Sequence, residues 1–210
     1  MVTAPKLLIL GTHNRKKCSE LRELLAPLGI ELKSLAEVDD PIVVDETGAT
    51  FIENARLKGT QQAQHLGLWT IGEDSGLCVP ALQGAPGIYS ARYAGEGATD
   101  ASNNEKLLAE MSDLEGERRA AYYVCTIAIA DPTGKIHLET EGRCWGRILR
   151  EQRGEGGFGY DPMFELREYH LTFAELGGTV KSVISHRARA LQKFTRGLKR
   201  LFELSSAPPT

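Results

Sequence analysis

Apolar and polar positions alternate along the chain in a way that predicts an α/β order. A short apolar run at residues 6–10 (KLLIL) is typical of a buried strand, and Leu21, Leu24, Leu25 and Leu28 follow at helical spacing, so the chain opens as strand, loop and helix. Thr50 and Glu53 form a possible capping box for a second helix carrying Phe51, Ala55 and Leu66 and ending at Gly67. Residues 68–71 then predict another short strand. Beyond GEDSG, the glycines and prolines of residues 80–87 predict loop bordering a cleft, followed by a helix over residues 100–111. The β-rich runs 120–130 and 136–149 flank Asp131-Pro132-Thr133-Gly134, a hairpin turn. A last amphipathic helix, residues 185–204, turns Ala188, Leu191, Phe194, Leu198 and Leu201 inward, with Arg189, Lys193, Arg196, Lys199 and Arg200 mostly outward, before a frayed tail at 205–210. No repeat or low-complexity linker interrupts this order, so residues 1–204 read as a single domain with a mixed sheet and helices on its faces.

Composition narrows the partners. At 210 residues, 41% hydrophobic and 25% charged, the chain can bury a sizeable core. A net charge of −3 provides no overall basic field, which argues against a nucleic-acid polymer and favours a small anionic ligand. Cys18, Cys78, Cys125 and Cys144 show no zinc or disulfide spacing, and the start of the chain is too short in apolar residues for a signal-peptide core or membrane span. The expectation is a cytoplasmic protein with reduced thiols and no membrane association.

Four segments could carry chemistry. In GTHNRKK, Thr12 and Asn14 are capping candidates and Lys16 and Lys17 fall in the first turn of a helix, where free amides and the helix dipole favour anions. The lysines either splay into solvent, at about 0.3–1 kcal/mol or less each, or face a phosphate. The spacing is not that of a P-loop. Asp45 and Glu46 precede the second helix, and Glu73 and Asp74 follow the strand that returns from it, so the four acids are either a solvated acidic loop or a seat for magnesium. Glu53 is accounted for by the capping box. GEGGFGYDP, residues 154–162, places Phe158 and Tyr160 in a backbone free to approach a ligand, either to stack on a base or as aromatics tucked into the core. No helix follows this run, so it is not a dinucleotide fingerprint. Lys181, His186 and Arg187 gather at the entrance of the last helix, with Ser185 able to cap it. His13, His65, His137 and His170 lack metal-ligand spacing.

Taken in order, Thr12-x-Asn14-x-x-Lys17, the run from Glu46 through Phe51, Glu53, Asn54 and Ala55 to Lys58, Asp74-Ser75-Gly76-Leu77, GAPGIYSARY at residues 84–93, Gly157-Phe158-Gly159-Tyr160-Asp161-Pro162 and Ser185-His186-Arg187 closely resemble the inosine triphosphate pyrophosphatase family, over residues 7–201. The resemblance implies an elongated α/β fold with a central mixed sheet and two lobes around a nucleotide cleft, a homodimer, dependence on Mg²⁺, and hydrolysis of dITP, ITP and XTP to the monophosphate and pyrophosphate. It implies that Thr12, Asn14 and Lys17 hold phosphate, with His13, Arg15 and Lys16 of the same turn counted beside them, and that Lys58 assists. Glu46 and Asp74 would hold metal, and Asp74 would also take the proton from water. Phe158, Gly159, Tyr160, Asp161, Lys181, His186 and Arg187 would form the base and phosphate pocket, with Ser75 at its floor. The sequence departs from the family at Glu73, where bacterial relatives often carry Asp, and at Gly177-Gly178-Thr179-Val180, which replaces an acidic approach to Lys181. The physical account of such chemistry is in-line attack by water between the α and β phosphates, with Lys17 and Lys58 stabilising the departing pyrophosphate. Donors from Arg187 or the loop backbone aimed at the purine 6-position would reject adenine. A hydrolase of other modified nucleotides and a nucleotide-binding regulatory module without turnover are the alternatives.

Overall fold

The computed structural model describes residues 4–12 and 15–203, without the side chains of residues 15, 16, 17 and 20. The expected frayed tail at 205–210 lies outside the described residues. Among the described residues, seven strands and five α-helices follow in the order β1 (Leu7–Leu10), α1 (Arg15–Leu25), β2 (Glu31–Ser34), α2 (Phe51–Leu66), β3 (Thr70–Cys78), α3 (Asp100–Glu110), β4 (Ala120–Ala130), β5 (Ile136–Ile148), β6 (Phe164–Leu166), β7 (Leu171–Thr172), α4 (Phe173–Ile184) and α5 (His186–Leu201). The strands form one sheet in the order β2-β1-β3-β4-β5-β6-β7. It is mixed: β1 runs parallel to β2 and β3, whereas β5, β6 and β7 pair antiparallel. The α/β class and mixed sheet expected from the sequence are both present.

The chain divides into two compact units, the first comprising residues 1–74, 126–141 and 190–210 and the second residues 75–125 and 142–189. In the first, Leu8, Ile9 and Leu10 of β1, Ile71 of β3, Ile127 and Ile129 of β4, and Leu191, Phe194 and Leu198 of α5 are buried. Removing these apolar side chains from water is the main favourable term in folding this unit. Helix α2 lies against β3 at unusually short range. A Cβ on Gly72 would stand 1.9 Å from the Ala55 carbonyl oxygen and 2.5 Å from the Gly59 nitrogen, so only hydrogen fits there. Thr50 and Glu53 close the expected capping box and fix where this helix begins.

The second unit packs Leu77, Val79, Leu107, Met111, Tyr123, Cys144, Ile148, Tyr160, Met163, Phe164 and Phe173 into one apolar cluster. Arg119 crosses this core as a brace, its guanidinium donating to the carbonyls of Met111, Leu114, Ile148 and Leu149. Four carbonyl acceptors offset the cost of burying that cation.

Two sequence expectations change. The strand forecast for residues 68–71 runs on to Cys78, so Glu73 and Asp74 lie within β3 rather than in a loop beyond it. Glycine and acids are poor strand formers, but Gly72 is required by the approach of α2, and this tertiary demand overrides local preference. Leu201 is only half-buried, and Phe202 takes the inward position at the end of α5.

Gly72→Ala is expected to lower stability by about 3 kcal/mol, because a backbone carbonyl cannot yield as a side chain could; the midpoint of urea unfolding measures it. The Asp131 turn supplies a pH test. Burial alone would raise the Asp131 carboxyl, but hydrogen bonds from Thr133, His137 and the Thr133 and Lys135 amides outweigh it and hold the group well below the usual carboxylate range. A depressed folded-state pKa contributes stability above the unfolded value, near 4, and loses it as the pH falls toward the folded one. The Tm difference between wild type and Asp131→Ala should therefore be largest near neutrality and narrow once the pH drops below about 4.

Candidate active site

In the first unit, the packing of α2 on β3 decides which side chains meet. Ala55 and Gly59 form the contact face toward Gly72, and Asn54 and Lys58, again four residues apart, flank it on one side of the helix. Two residues beyond Gly72 along the strand, and so on the same face, comes Asp74. Lys58 Nζ reaches Asp74 Oδ1 at 3.0 Å and Glu46 Oε2 at 3.1 Å. Asn54 is fully buried; its Nδ2 donates to Asp74 Oδ2 at 3.3 Å, and its Oδ1 accepts the Gly48 N–H at 2.8 Å. Asn54 thereby ties the loop that carries Glu46 to the strand that carries Asp74. The Asp74 carbonyl accepts from Thr126 Oγ1 at 3.3 Å, which fixes the backbone beneath the carboxylate.

Burial pushes the Asp74 carboxyl up, the Lys58 ammonium opposes this, and the Glu46 charge adds to it. The result is a carboxylate with raised basicity held in place by two donors. Glu73 points to the opposite face of β3 by strand alternation, and of the four acids Glu46 and Asp74 are the two that pair with Lys58. Among the described residues no three metal-ligating side chains come together. Two converging carboxylates suit Mg²⁺, which binds through one or two such groups together with water and substrate phosphates.

The turn expected to hold phosphate lies only partly within the described residues. The Thr12 N–H donates to the Leu10 carbonyl at 2.6 Å, and the Thr12 carbonyl accepts from Leu35 N–H at 3.1 Å. His13 and Asn14 lie outside the described residues, as do the side chains of Arg15, Lys16 and Lys17. Helix α1 does begin at Arg15, directly after the turn.

In the second unit, Asp161 organises the glycine-rich loop. Its side chain is 1% exposed and is paired with the Lys181 ammonium. Asp161 Oδ2 also accepts the Phe158 N–H at 3.0 Å, and Tyr123 Oη lies 3.5 Å from Oδ1. A side chain at Gly157 would strike the Asp161 carboxylate, so the glycine there is sterically required. Lys181 Nζ lies 4.0 Å from the centre of the Phe158 ring, which is 59% exposed. This cation–π contact holds an exposed aromatic face near a charge. Of the two open readings of the loop aromatics, Phe158 is the presented ring and Tyr160 the core residue, with its hydroxyl donating to the Ser90 carbonyl at 2.8 Å.

Buried His186 stacks on Tyr123 with ring centres 4.8 Å apart, and Arg187 follows it in the first turn of α5. Ser185 caps that helix, as expected, by accepting the Ala188 N–H at 3.2 Å. Lys181 reaches the loop because α4 breaks at Gly177, whose φ of 77° and ψ of 170° interrupt the helix and let its second half set off anew. Ser75 lies half-buried in β3. Asn54 and Tyr123 were not singled out from the sequence: Asn54 could have been found as the residue one turn before Lys58, whereas Tyr123 is hidden in an apolar strand.

Comparison with known proteins identifies the family. A model described as the Ham1 family matches residues 8–197. A Rhodopirellula baltica protein named dITP/XTP pyrophosphatase is 51% identical, covering 95% of this chain and 96% of its own. The Bacillus subtilis protein of the same name is 44% identical over 91% and 96% of the two chains. Among solved structures, a HAM1 protein from Coxiella burnetii superposes with a TM-score of 0.87 at 38% identity, covering 93% of this chain and all of its own. A nucleoside-triphosphatase / dITP/XTP pyrophosphatase from Mycobacterium abscessus gives a TM-score of 0.78 at 41% identity, covering 90% and 97%.

Replacing Lys181 with Met would leave Asp161 a buried carboxylate without its cation. A loss of about 3–5 kcal/mol is expected in urea unfolding, largely recovered when Asp161→Asn is added to remove the charge.

Proposed function

Because the chain belongs to the Ham1 family, we propose that it hydrolyses the nonstandard purine nucleotides dITP, ITP and XTP to the monophosphate and pyrophosphate with the aid of Mg²⁺. The observation that carries this reading is the convergence of Glu46 and Asp74 on Lys58, with Asp74 buried and raised in basicity. The names of the relatives support the substrate class. A homodimer acting on the cytoplasmic nucleotide pool is part of the same proposal. No helix among the described residues is long and apolar enough to cross a membrane.

Glu46 and Asp74 would hold the Mg²⁺, which when bound supplies neutralisation of phosphate charge. Asp74 accepts the proton of the attacking water. The donors Asn54 and Lys58 keep its carboxylate oriented for that role. Lys58 would stabilise negative charge as pyrophosphate departs, together with Lys17 and the Thr12, His13, Asn14, Arg15 and Lys16 turn before and at the start of α1. In the second unit, Phe158 offers its face to the base, Asp161 and Lys181 hold that ring in place, and Ser75, Gly159, Tyr160, His186 and Arg187 complete the assigned pocket. Donors at its edge would be left unpaired by the adenine amino group, which disfavours ATP.

Pyrophosphate release from ITP, XTP, dITP, GTP, ATP and dUTP tests the assignment. Release should favour the 6-oxo purines, stop on chelation of divalent metal, and fall by about 10²–10⁴ in Asp74→Asn. Equal turnover of ATP would overturn the selectivity. Binding of ITP without any turnover would make the protein a nucleotide-binding module instead.

A further inference from the structure

Two side chains of α3 have no place in the assignments above, yet both end on the loop that presents Phe158. Asp100 opens the helix and Asn104 stands one turn later, so they leave the same face. Asp100 Oδ2 accepts the Gly159 N–H at 2.6 Å, and Asn104 Nδ2 donates to the Gly159 carbonyl at 3.1 Å. The N–H and the carbonyl of one residue belong to successive peptide planes, and holding both fixes the backbone rotation between them. At Gly159 that rotation has a φ of 60°, a conformation side-chain-bearing residues resist. Phe158 is the preceding residue, and its own N–H is taken by Asp161. The peptide planes on either side of the exposed ring are therefore anchored, one to Asp161 and the other to α3.

Asn104 is costly for a purely structural residue. It is 3% exposed, and its Oδ1 has no hydrogen-bond partner among the described residues. A buried acceptor left unmatched is unfavourable, and an apolar residue of similar size would avoid it. What asparagine supplies in return is the donor to Gly159.

We propose that Asp100 and Asn104 are positioning residues that set the angle at which Phe158 meets the base, and through it the discrimination among purines. This rests on the base-pocket reading of Phe158. Neither residue acts on the ligand directly; both act through the Gly159 backbone.

Asp100→Ala, Asp100→Asn and Asn104→Ala in the full chain test this, with ITP and ATP as substrates and hydrogen exchange at the Gly159 amide as a second readout. Asp100→Ala and Asn104→Ala should raise KM for ITP about tenfold, the scale of one lost hydrogen bond to an anchored group, and shrink the preference for ITP over ATP by a similar factor. The kcat should stay within about twofold. Asp100→Asn keeps an oxygen that can accept the Gly159 N–H while losing the charge that favours the helix N-terminus, so it should recover most of the KM and the preference. Unchanged KM and preference in a folded Asp100→Ala protein would overturn the proposal. So would equal losses of KM, kcat and Tm in all three variants, Asp100→Asn included, since that pattern marks helix stability alone. If wild type does not hydrolyse ITP, the functional reading fails on its own, and exchange at Gly159 decides the grip: acceleration in Asp100→Ala but not in Asp100→Asn supports it, and unchanged exchange overturns it.

Discussion

The first unit depends on the contact between α2 and β3 at Gly72. With a carbonyl oxygen where a Cβ would stand, helix and strand approach as closely as backbone allows. That approach brings the Asn54–Lys58 side of α2 to Asp74, which is why an acid can be buried in the middle of a strand at all. Without an ammonium and an amide donor beside it, burial would favour the neutral form of Asp74 still more strongly. The sterics of one glycine and the electrostatics of one carboxylate are thus parts of one arrangement.

The second unit reaches a comparable end by other means. Asp161 is more deeply buried than Asp74, but it is matched by a single close cation and a backbone amide. Its work is to hold a loop. The loop owes its shape to glycines that leave room for the Asp161 carboxylate and for the turn at Gly159, and to partners on α3, α4 and the Ser90 carbonyl. The ring left exposed by this scaffold is Phe158, while Tyr160, of nearly the same size, serves as an anchor because its hydroxyl finds a buried acceptor.

Much of this was legible in the sequence where local rules and tertiary demands agree. The capping box at Thr50 and Glu53, the hairpin at Asp131 and the cap at Ser185 are local hydrogen-bonding devices, and each stands where its residues predict. The extent of β3 was not legible, because Gly72, Glu73 and Asp74 read as a loop until α2 is in place to require the glycine and satisfy the acid. Strands β2, β6 and β7 are too short for their periodicity to register, and α4 is masked by the two glycines at its break. In the candidate site, Glu46 and Asp74 could be named from the sequence as members of two acidic pairs beside predicted elements, and Lys58 through the family resemblance. Asn54 stands one turn before Lys58, but its role as a tie was not legible, because it follows from a side chain that touches two segments far apart in the chain.

The balance of charge in the two units favours different ligands for each. In the first, two carboxylates face one ammonium, which leaves the cluster net negative and suited to gaining a cation. A cation held by Glu46 and Asp74 would complement that charge, which is the sense of proposing Mg²⁺ there. In the second, Asp161 and Lys181 cancel, and the exposed feature is an aromatic face. A neutral base asks for stacking area and a few fixed donors rather than charge.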